Sequence, residues 1–434
     1  MKLTSALFAA SALVSVAATA ANAETITVAT VNNGDMVRMQ GLTADFTAKT
    51  GHEVDWVILE ENTLRQRLTQ DITTKGGQFD VMTIGMYETP IWGAQDWLIP
   101  LNDLSADYDI DDILPAMRNG LSVDGTMYAA PFYGESSMVF YRTDLMEAAG
   151  LEMPHSPTWA QIREAAVAMT DRDNEIYGAC LRGKAGWGDN MAFITALANS
   201  FGARWFDEDW NAQFDSPEWN EALTFYLDLL EQAGPPGSSG NSFNESLTLF
   251  NQGKCGMWID ATVAASKLTN PDDSVVADKV GFALAPHKEG VSKNGNWLWA
   301  WALAIPAGTK KEAAAKEFIE WSTSKEYIEL VAANEGWANV PPGARVSLYE
   351  NDEYKKVPFA EITLESIQSA DPNNPTVEPV PYIGVQFAAI PEFAGIAGQV
   401  AQEFSAAVAG QQTAEEALEK AQAITTEEME AAGY

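Results

Sequence analysis

The 434-residue sequence is poor in the residues and motifs of common catalytic sites. Its three histidines, His52, His155 and His287, are isolated, so the H-E-x-x-H zinc motif is absent. No phosphate-binding P-loop occurs. The stretch around Ser136 fails the nucleophile-elbow pattern, because Met138 stands where a glycine is needed. These motif-defined enzyme classes are therefore excluded, and no cofactor is expected.

Basic residues are also scarce. The chain has 26 Lys and Arg against 61 Asp and Glu, which gives a formal net charge of −35. A surface of this sign repels phosphate backbones and anionic headgroups, so it argues against nucleic acid or an anionic membrane as a partner. The charge favours solubility and does not identify a ligand.

Only two cysteines are present, Cys180 and Cys255. A cysteine pair in an oxidising compartment often forms a disulfide bond. The geometric requirements of that bond are tight, and the sequence does not fix the distance between the two residues. A disulfide and two free thiols are therefore both left open.

One long apolar run occurs, and it lies at the start of the chain. Residues 1–23 have the features of a cleaved signal peptide: Lys2, an apolar segment over 7–18, and Ala21-Asn22-Ala23 as the cleavage site. The run is too short to span a bilayer. No twin-arginine pair precedes it and no cysteine lies near the cleavage site. We expect a soluble periplasmic protein, without a lipid anchor, that begins at Glu24.

The rest of the chain is too long for one compact core, which predicts two lobes. The pattern of its first part predicts strands 25–31, 52–59 and 79–84 with helices 36–50 and 61–74 between them. This alternation is typical of a parallel sheet covered by helices on both faces. Ligands of such sheets bind outside the carboxyl ends of the strands. Those ends carry Asn33, residues 60–62, and Tyr87 with Glu88.

The stretch 128–145, YAAPFYGESSMVFYRTDL, is predicted to cross from one lobe to the other. It has two apolar strands, 128–131 and 138–141, separated by the mixed polar and aromatic segment 132–137. Glu135 lies in the middle of that segment, beside hydroxyl side chains, and is well placed to accept hydrogen bonds at a lobe junction. The alternative is an ordinary strand with a surface loop.

These residues carry a resemblance to a known family. The stretch 128–145 resembles the first inter-lobe crossing of the extracytoplasmic sugar-binding proteins of ABC importers, the group that includes maltose-binding protein. The order and spacing of YGESSMVFYRTDL, TVNNGDMVRMQ from Thr30 and DVMTIGMYETPIW from Asp80 are most similar to the sorbitol and mannitol (polyol) binding branch. The resemblance spans nearly the whole chain after the signal peptide.

The resemblance implies an α/β fold of the periplasmic-binding-protein type, with two α/β lobes joined by a hinge around a cleft. The predicted first lobe comprises residues 24–132 and 280–330, and the second comprises 133–279 and 331–434. A ligand bound between the lobes favours the closed form, because only that form contacts it from both sides. The closed form then docks on a membrane permease. The protein itself is expected to be a monomer and not an enzyme.

Ten residues are candidate ligand contacts. Polar side chains at strand ends pair with polyol hydroxyls, which both donate and accept, while aromatic side chains supply apolar faces and exclude water. Each also has a structural alternative to ligand contact. For example, Arg182 would pair with a surface acid and Asp260 would cap a helix. Trp297 and Trp299 would pack in a sheet, and Trp337 would pack in a loop. The ten are Asn33, Tyr87, Glu88, Glu135, Arg182, Trp187, Asp260, Trp297, Trp299 and Trp337.

Comparison with the maltose-binding pattern narrows the ligand. The acid expected in the crossing matches Glu135, and the polar residue after the first strand matches Asn33. The stacking aromatic expected soon after strand 257–259 is replaced by Val263. The resemblance therefore favours a small, linear and highly hydroxylated ligand over an oligosaccharide, with a monosaccharide as an alternative.

Two other classes of function are alternatives to a binding protein: a hydrolase and a structural or adhesion module. A secreted carbohydrate-active hydrolase needs only two carboxylates that face each other across a bond, and a chain with 61 acidic residues does not exclude such a pair. A structural or adhesion module is disfavoured, because it would not need two sheets with convergent polar loops.

Overall fold

The computed structural model describes residues 23–434, so the predicted signal peptide, apart from its last residue, lies outside the described residues. The strands in chain order are β1 (Thr25–Val31), β2 (Glu53–Leu59), β3 (Val81–Ile84), β4 (Ser122–Val123), β5 (Thr126–Met127), β6 (Ala129–Glu135), β7 (Ser137–Arg142), β8 (Tyr177–Cys180), β9 (Cys255–Ala261), β10 (Val280–Leu284) and β11 (Trp299–Ala304). The helices are α1 (Gly34–Thr50), α2 (Glu61–Thr74), α3 (Glu88–Gly93), α4 (Pro115–Gly120), α5 (Thr143–Ala148), α6 (Trp159–Met169), α7 (Asn190–Phe201), α8 (Pro217–Ala233), α9 (Phe243–Asn251), α10 (Ala265–Leu268), α11 (Glu312–Thr323), α12 (Lys325–Glu335), α13 (Val346–Glu350), α14 (Ala360–Gln368), α15 (Phe393–Val408) and α16 (Ala414–Ala432).

The first lobe contains a five-stranded sheet in the order β2-β1-β3-β11-β6. Strands β1, β2 and β3 are parallel, as the alternating pattern of the sequence predicts. Strand β11 runs antiparallel to both of its neighbours. Every residue of β3, β11 and β6 is buried, so this side of the sheet is covered on both faces. Because β1, β2 and β3 are parallel, their carboxyl ends meet at one edge of the lobe.

The second lobe contains a four-stranded sheet in the order β10-β7-β9-β8. Helices α15 and α16 of the C-terminal part pack against α7 and α8 in this lobe. A disulfide bond joins Cys180 at the end of β8 to Cys255 at the start of β9, with a Cα–Cα distance of 5.9 Å. The structure therefore decides between the two states that the sequence leaves open, and it ties together two neighbouring parallel strands.

The predicted lobe limits differ from the pairing at two places. The sequence analysis returns the chain to the first lobe at residue 280, but β10 pairs antiparallel with β7 in the second sheet. Phe282 of that strand packs against Phe140, with ring centroids 6.1 Å apart, which explains its place there. The return lies between β10 and β11. The predicted limit at 330 falls inside α12, whose last residue, Glu335, pairs with Arg38 of α1.

The crossing at Glu135 is shorter than predicted. Instead of a mixed segment over 132–137, strand β6 continues through Glu135 and β7 begins at Ser137, so Ser136 alone separates the two sheets. The extension forms because Tyr133 and Glu135 pair with Trp301 and Trp299 of β11. Glu135 is thus held by sheet pairing at the junction of the lobes.

Among residues 23–434, no helix combines the length and the hydrophobicity that crossing a lipid bilayer needs.

Candidate functional site

A cavity lies between the two lobes, next to the crossing. Its volume is about 30 Å³ when counted as space for the centres of water-sized groups, which is room for a small number of water molecules. Its wall combines side chains from the edge of the first sheet with side chains that follow β8 and β9 of the second. The lining residues are Asn33, Glu61, Arg65, Glu135, Arg182, Trp187, Gly188, Ala192, Phe243, Ala261, Trp297, Trp299, Trp301 and Gln386.

Six of the ten sequence candidates line this cavity. They come from distant parts of the chain, and the fold brings them together because strand ends from both sheets converge on the crossing. The six are Asn33, Glu135, Arg182, Trp187, Trp297 and Trp299. Their role as ligand contacts remains a prediction.

Glu135 has a distinctive environment. It is buried, and no hydrogen bond from another group of residues 23–434 reaches its carboxyl group. Burial raises its pKa from 4.5 to about 8, with Arg182 acting in the opposite direction and Asp260 adding to the rise. The carboxyl group therefore lines the cavity without a hydrogen-bond partner among residues 23–434.

The raised pKa of Glu135 predicts a pH dependence of stability. The unfolded chain releases this proton near pH 4.5, whereas the folded protein keeps it up to about pH 8. Between these values the unfolded state binds fewer protons, so the free energy of unfolding falls as the pH rises, by at most about 1.4 kcal/mol per pH unit. Urea unfolding at several pH values should show this slope in the wild type, reduced in Glu135→Gln. Equal slopes in the two proteins would contradict the assignment.

Arg182 is held by Asp260. Its Nε and Nη2 donate to the two carboxylate oxygens of Asp260 at 2.8 and 2.6 Å, and its Nη1 donates to the Gly188 carbonyl at 2.8 Å. Asp260 is fully buried and also accepts from the Trp258 indole and the Ala261 amide. Three of the five guanidinium N–H groups are thus occupied, and two remain for a ligand. Asp260 itself does not line the cavity but positions Arg182.

Arg65 occupies the corresponding position in the first lobe. Its Nε and Nη2 donate to Glu61 at 3.1 and 2.9 Å, and its Nη1 donates to Glu88. Glu88 also accepts from the Gly85 amide at 3.0 Å, so this sequence candidate holds Arg65 and stays outside the cavity lining. Burial raises the pKa of Glu61, and Arg65 acts against that rise. The second arginine of the site is therefore also held by carboxylates of its own lobe.

Three indole rings surround the Arg65 guanidinium. Its central carbon lies 4.0 Å from the ring centroid of Trp187, 5.0 Å from that of Trp299 and 4.9 Å from that of Trp301. Such contacts between a cation and aromatic faces are favourable, more so when water is excluded. Trp187 belongs to the second lobe and the other two to β11 of the first, so this aromatic cluster bridges the lobes.

Asn33 and Gln386 contribute amides to the wall. The Asn33 Nδ2 donates to the Tyr133 hydroxyl at 3.0 Å, which fixes the amide at the carboxyl end of β1. Gln386 donates to the Leu298 carbonyl at 3.0 Å and accepts from the Leu298 amide at 3.3 Å. Gln386 therefore holds the backbone between the cavity tryptophans Trp297 and Trp299.

The other two sequence candidates do not line the cavity. The Tyr87 hydroxyl donates to the Ile390 carbonyl at 3.1 Å and accepts from the Ala394 amide at 3.2 Å. Its ring centroid lies 4.9 Å from that of Trp187, so Tyr87 supports the wall from behind. Trp337 lies in the turn Trp337–Asn339 that follows α12, away from the cavity wall.

Eight lining residues are not among the ten candidates. Some of them carry a signal in the sequence: Glu61 follows β2 at a strand end, Arg65 lies one helical turn later, and Trp301 continues the period-two spacing of Trp297 and Trp299. Gln386 lies in a long loop with no pattern that would select it. Among residues 23–434, no group of three or more His, Cys, Asp or Glu side chains is arranged to hold a metal ion.

Comparison with known proteins agrees with this architecture. The mannitol-binding protein of Pseudomonas aeruginosa is 55% identical over 416 residues, which are 96% of this chain and 95% of that protein. The structure of an ABC transporter solute-binding protein from Agrobacterium vitis S4 with bound D-mannitol shares 65% identity at a TM-score of 0.94, covering 95% of this chain and all of that one. A solute-binding protein from Agrobacterium radiobacter K84 in complex with ribitol shares 25% identity at a TM-score of 0.82, covering 93% and 98% of the two chains.

A family-wide match covers most of the chain. The sequence model of bacterial extracellular solute-binding proteins matches residues 32–329, which include every strand except β1 and most of the cavity wall. The protein therefore belongs to the family of bacterial extracellular solute-binding proteins.

Proposed function

We propose that this protein is the periplasmic solute-binding component of an ABC importer and that it captures a linear hexitol of the D-mannitol type between its lobes. The observation that carries the proposal is the cavity itself, which combines a buried carboxyl group without a protein donor, Glu135, with two pre-positioned arginines. The relatives of 55% and 65% identity, one named for mannitol and one containing D-mannitol, support the choice of ligand.

The chemistry of a polyol fits these groups. Each hydroxyl both donates and accepts, so it can donate to Glu135 and accept from a remaining N–H group of Arg182 or Arg65. Trp297 and Trp299 offer apolar faces for the C–H groups of the carbon chain. A neutral ligand of this kind adds no charge to a site whose two arginines are already paired with carboxylates.

The remaining parts of the proposal follow from the family. A closed, ligand-bound form would dock on the permease as a monomer, without enzymatic turnover and without nucleic acid as a partner. Mature protein would begin at Glu24 in the periplasm. The membership in an extracellular solute-binding family supports this location.

A ligand screen tests the proposal. D-mannitol, other hexitols, pentitols and monosaccharides should be compared by thermal shift and calorimetric titration, because a ligand that binds the native state stabilises it by about 2.7 kcal/mol at a concentration of 100 times its Kd. We expect the largest shift with D-mannitol or a close stereoisomer. No shift with any polyol would contradict the proposal, and release of sugar from oligosaccharides would favour the hydrolase alternative.

A further inference from the structure

Outside the cavity, the lobes touch where the first turn of α2 meets the loop between β8 and α7. The Nδ2 of Asn62 donates to the Asp189 Oδ2 at 2.8 Å and lies 3.4 Å from the Ala185 carbonyl oxygen. Asn62 belongs to the first lobe, and Asp189 and Ala185 belong to the second. Neither Asn62 nor Asp189 lines the cavity. We call the hydrogen bond between them the closure contact.

The surroundings of Asp189 make this bond sensitive to lobe position. Asp189 has no exposed surface, and its Oδ1 accepts from the Ser242 hydroxyl of its own lobe. Its Oδ2 takes the Asn62 amide from the other lobe. Separation of the lobes therefore removes one of the two side-chain donors to a buried carboxylate, and only closure restores it. Hydrogen bonds to charged groups are among the stronger ones in proteins.

The loop is also shaped for this approach. A side chain at Gly188 would place its Cβ 2.2 Å from the Glu61 Oε1 of the first lobe, and a side chain at Gly186 would place its Cβ 2.7 Å from the Asn62 Oδ1. Both glycines have φ values outside the left-handed region, so their backbone conformation does not require glycine. A Cβ at either position would instead displace the end of a first-lobe side chain, Asn62 or Glu61, and so disturb the contact between the lobes. The nearby Lys184–Glu60 pair, at 2.6 Å, is half-exposed, and such pairs contribute little.

We propose that Asn62 and Asp189 are positioning residues that set ligand affinity by stabilising the closed form, without touching the ligand. This inference rests on the proposed function, since it requires a ligand that binds between closing lobes. The apparent affinity of such a protein depends on the population of its closed form, so a contact made only on closure adds directly to affinity. Its loss should appear mainly as faster dissociation, because an opened cleft releases the ligand.

The test uses D-mannitol, with four variants and a control: Asn62→Ala, Asn62→Asp, Asp189→Asn, the double variant Asn62→Asp with Asp189→Asn, and Gln66→Ala. Gln66 is exposed on the same helix, one turn beyond Asn62. Asn62→Ala should weaken binding by roughly tenfold. Asn62→Asp should weaken it further, because two carboxylates then face each other. The double variant exchanges acceptor and donor, so it should recover most of the wild-type affinity.

Three measurements decide the outcome: calorimetric Kd, the dissociation rate of radiolabelled D-mannitol, and the melting midpoint without ligand. We expect faster dissociation for the two Asn62 single variants, with ligand-free midpoints equal to that of Gln66→Ala. A wild-type Kd for Asn62→Asp, no recovery in the double variant, or a ligand-free midpoint that falls with affinity would overturn the inference. A wild type that binds no polyol would instead overturn the proposed function, and the inference with it.

Discussion

Glu135→Gln should weaken D-mannitol binding by roughly ten- to a hundredfold. In titrations at a pH above about 8, the pKa of Glu135, the side chain is a charged carboxylate. The loss of a hydrogen bond to a charged partner typically costs about 1.5–3 kcal/mol, and about 1.4 kcal/mol corresponds to a tenfold change in affinity. Glutamine keeps the size of the side chain and one acceptor oxygen. If one ligand hydroxyl donates to each carboxylate oxygen, the hydroxyl that faces the amide nitrogen of the variant loses its acceptor. Calorimetric titration of wild type and variant measures the difference.

The same variant should not be less stable without ligand. Among residues 23–434 no group donates to Glu135, so the variant loses no hydrogen bond within the protein. Burial raises the pKa of Glu135 to about 8, so at neutral pH the folded protein keeps a proton that the unfolded chain releases, and a neutral amide removes this cost. The rival interpretation makes Glu135 a structural acid that holds the crossing, and it predicts a lower ligand-free melting midpoint with nearly unchanged affinity. Full affinity at an unaltered midpoint would reject both interpretations.

Asp260→Asn should lower the free energy of unfolding by about 3–5 kcal/mol, because it leaves Arg182 buried with a neutral partner. Asp260 accepts four hydrogen bonds and has no exposed surface, so water has no access to the position of its charge. Binding of D-mannitol should weaken as well, because Arg182 loses the group that orients it. Urea unfolding followed by titration of the folded protein measures both effects.

A surface pair of the same lobe provides the control. Arg163 and Asp228 are 3.0 Å apart and partly exposed, so Asp228→Asn should cost about 1 kcal/mol or less. A loss for Asp260→Asn no larger than that of Asp228→Asn would contradict a buried, structurally required pair. Retained affinity in a strongly destabilised Asp260→Asn would mean that Arg182 does not contact the ligand.

The parts of the fold that follow from local pattern could be predicted. The strands and helices up to β3 alternate with clear periods, and the parallel pairing of β1 with β2 and β3 follows from them. Strand β10 was assigned to the wrong sheet because its apolar residues suit either lobe. Its packing partner Phe140 lies far away in sequence, and nothing local identifies it. Similarly, only the pairing with β11 shows that Glu135 continues a strand.

A position at the cavity follows best from the sequence where one strand end carries one polar residue. Asn33, Glu135 and Arg182 belong to this class, and all three line the cavity. Asp260 and Glu88 stand at similar ends but turn toward the arginines, since a buried guanidinium needs a carboxylate partner. A sequence cannot show which of two neighbouring charges faces the cavity and which faces its partner. Gln386 was missed because its role depends on contacts with the Leu298 backbone.

The aromatic cluster around Arg65 has a consequence for spectroscopy. Trp187 of the second lobe has its ring centroid 5.8 Å from that of Trp299 and 4.0 Å from the Arg65 guanidinium carbon, and both partners belong to the first lobe. Opening of the lobes must move Trp187 away from a cation and a second indole and bring water to its face. The intrinsic fluorescence of the protein therefore contains a natural reporter of lobe position, which needs no attached dye and no labelled ligand.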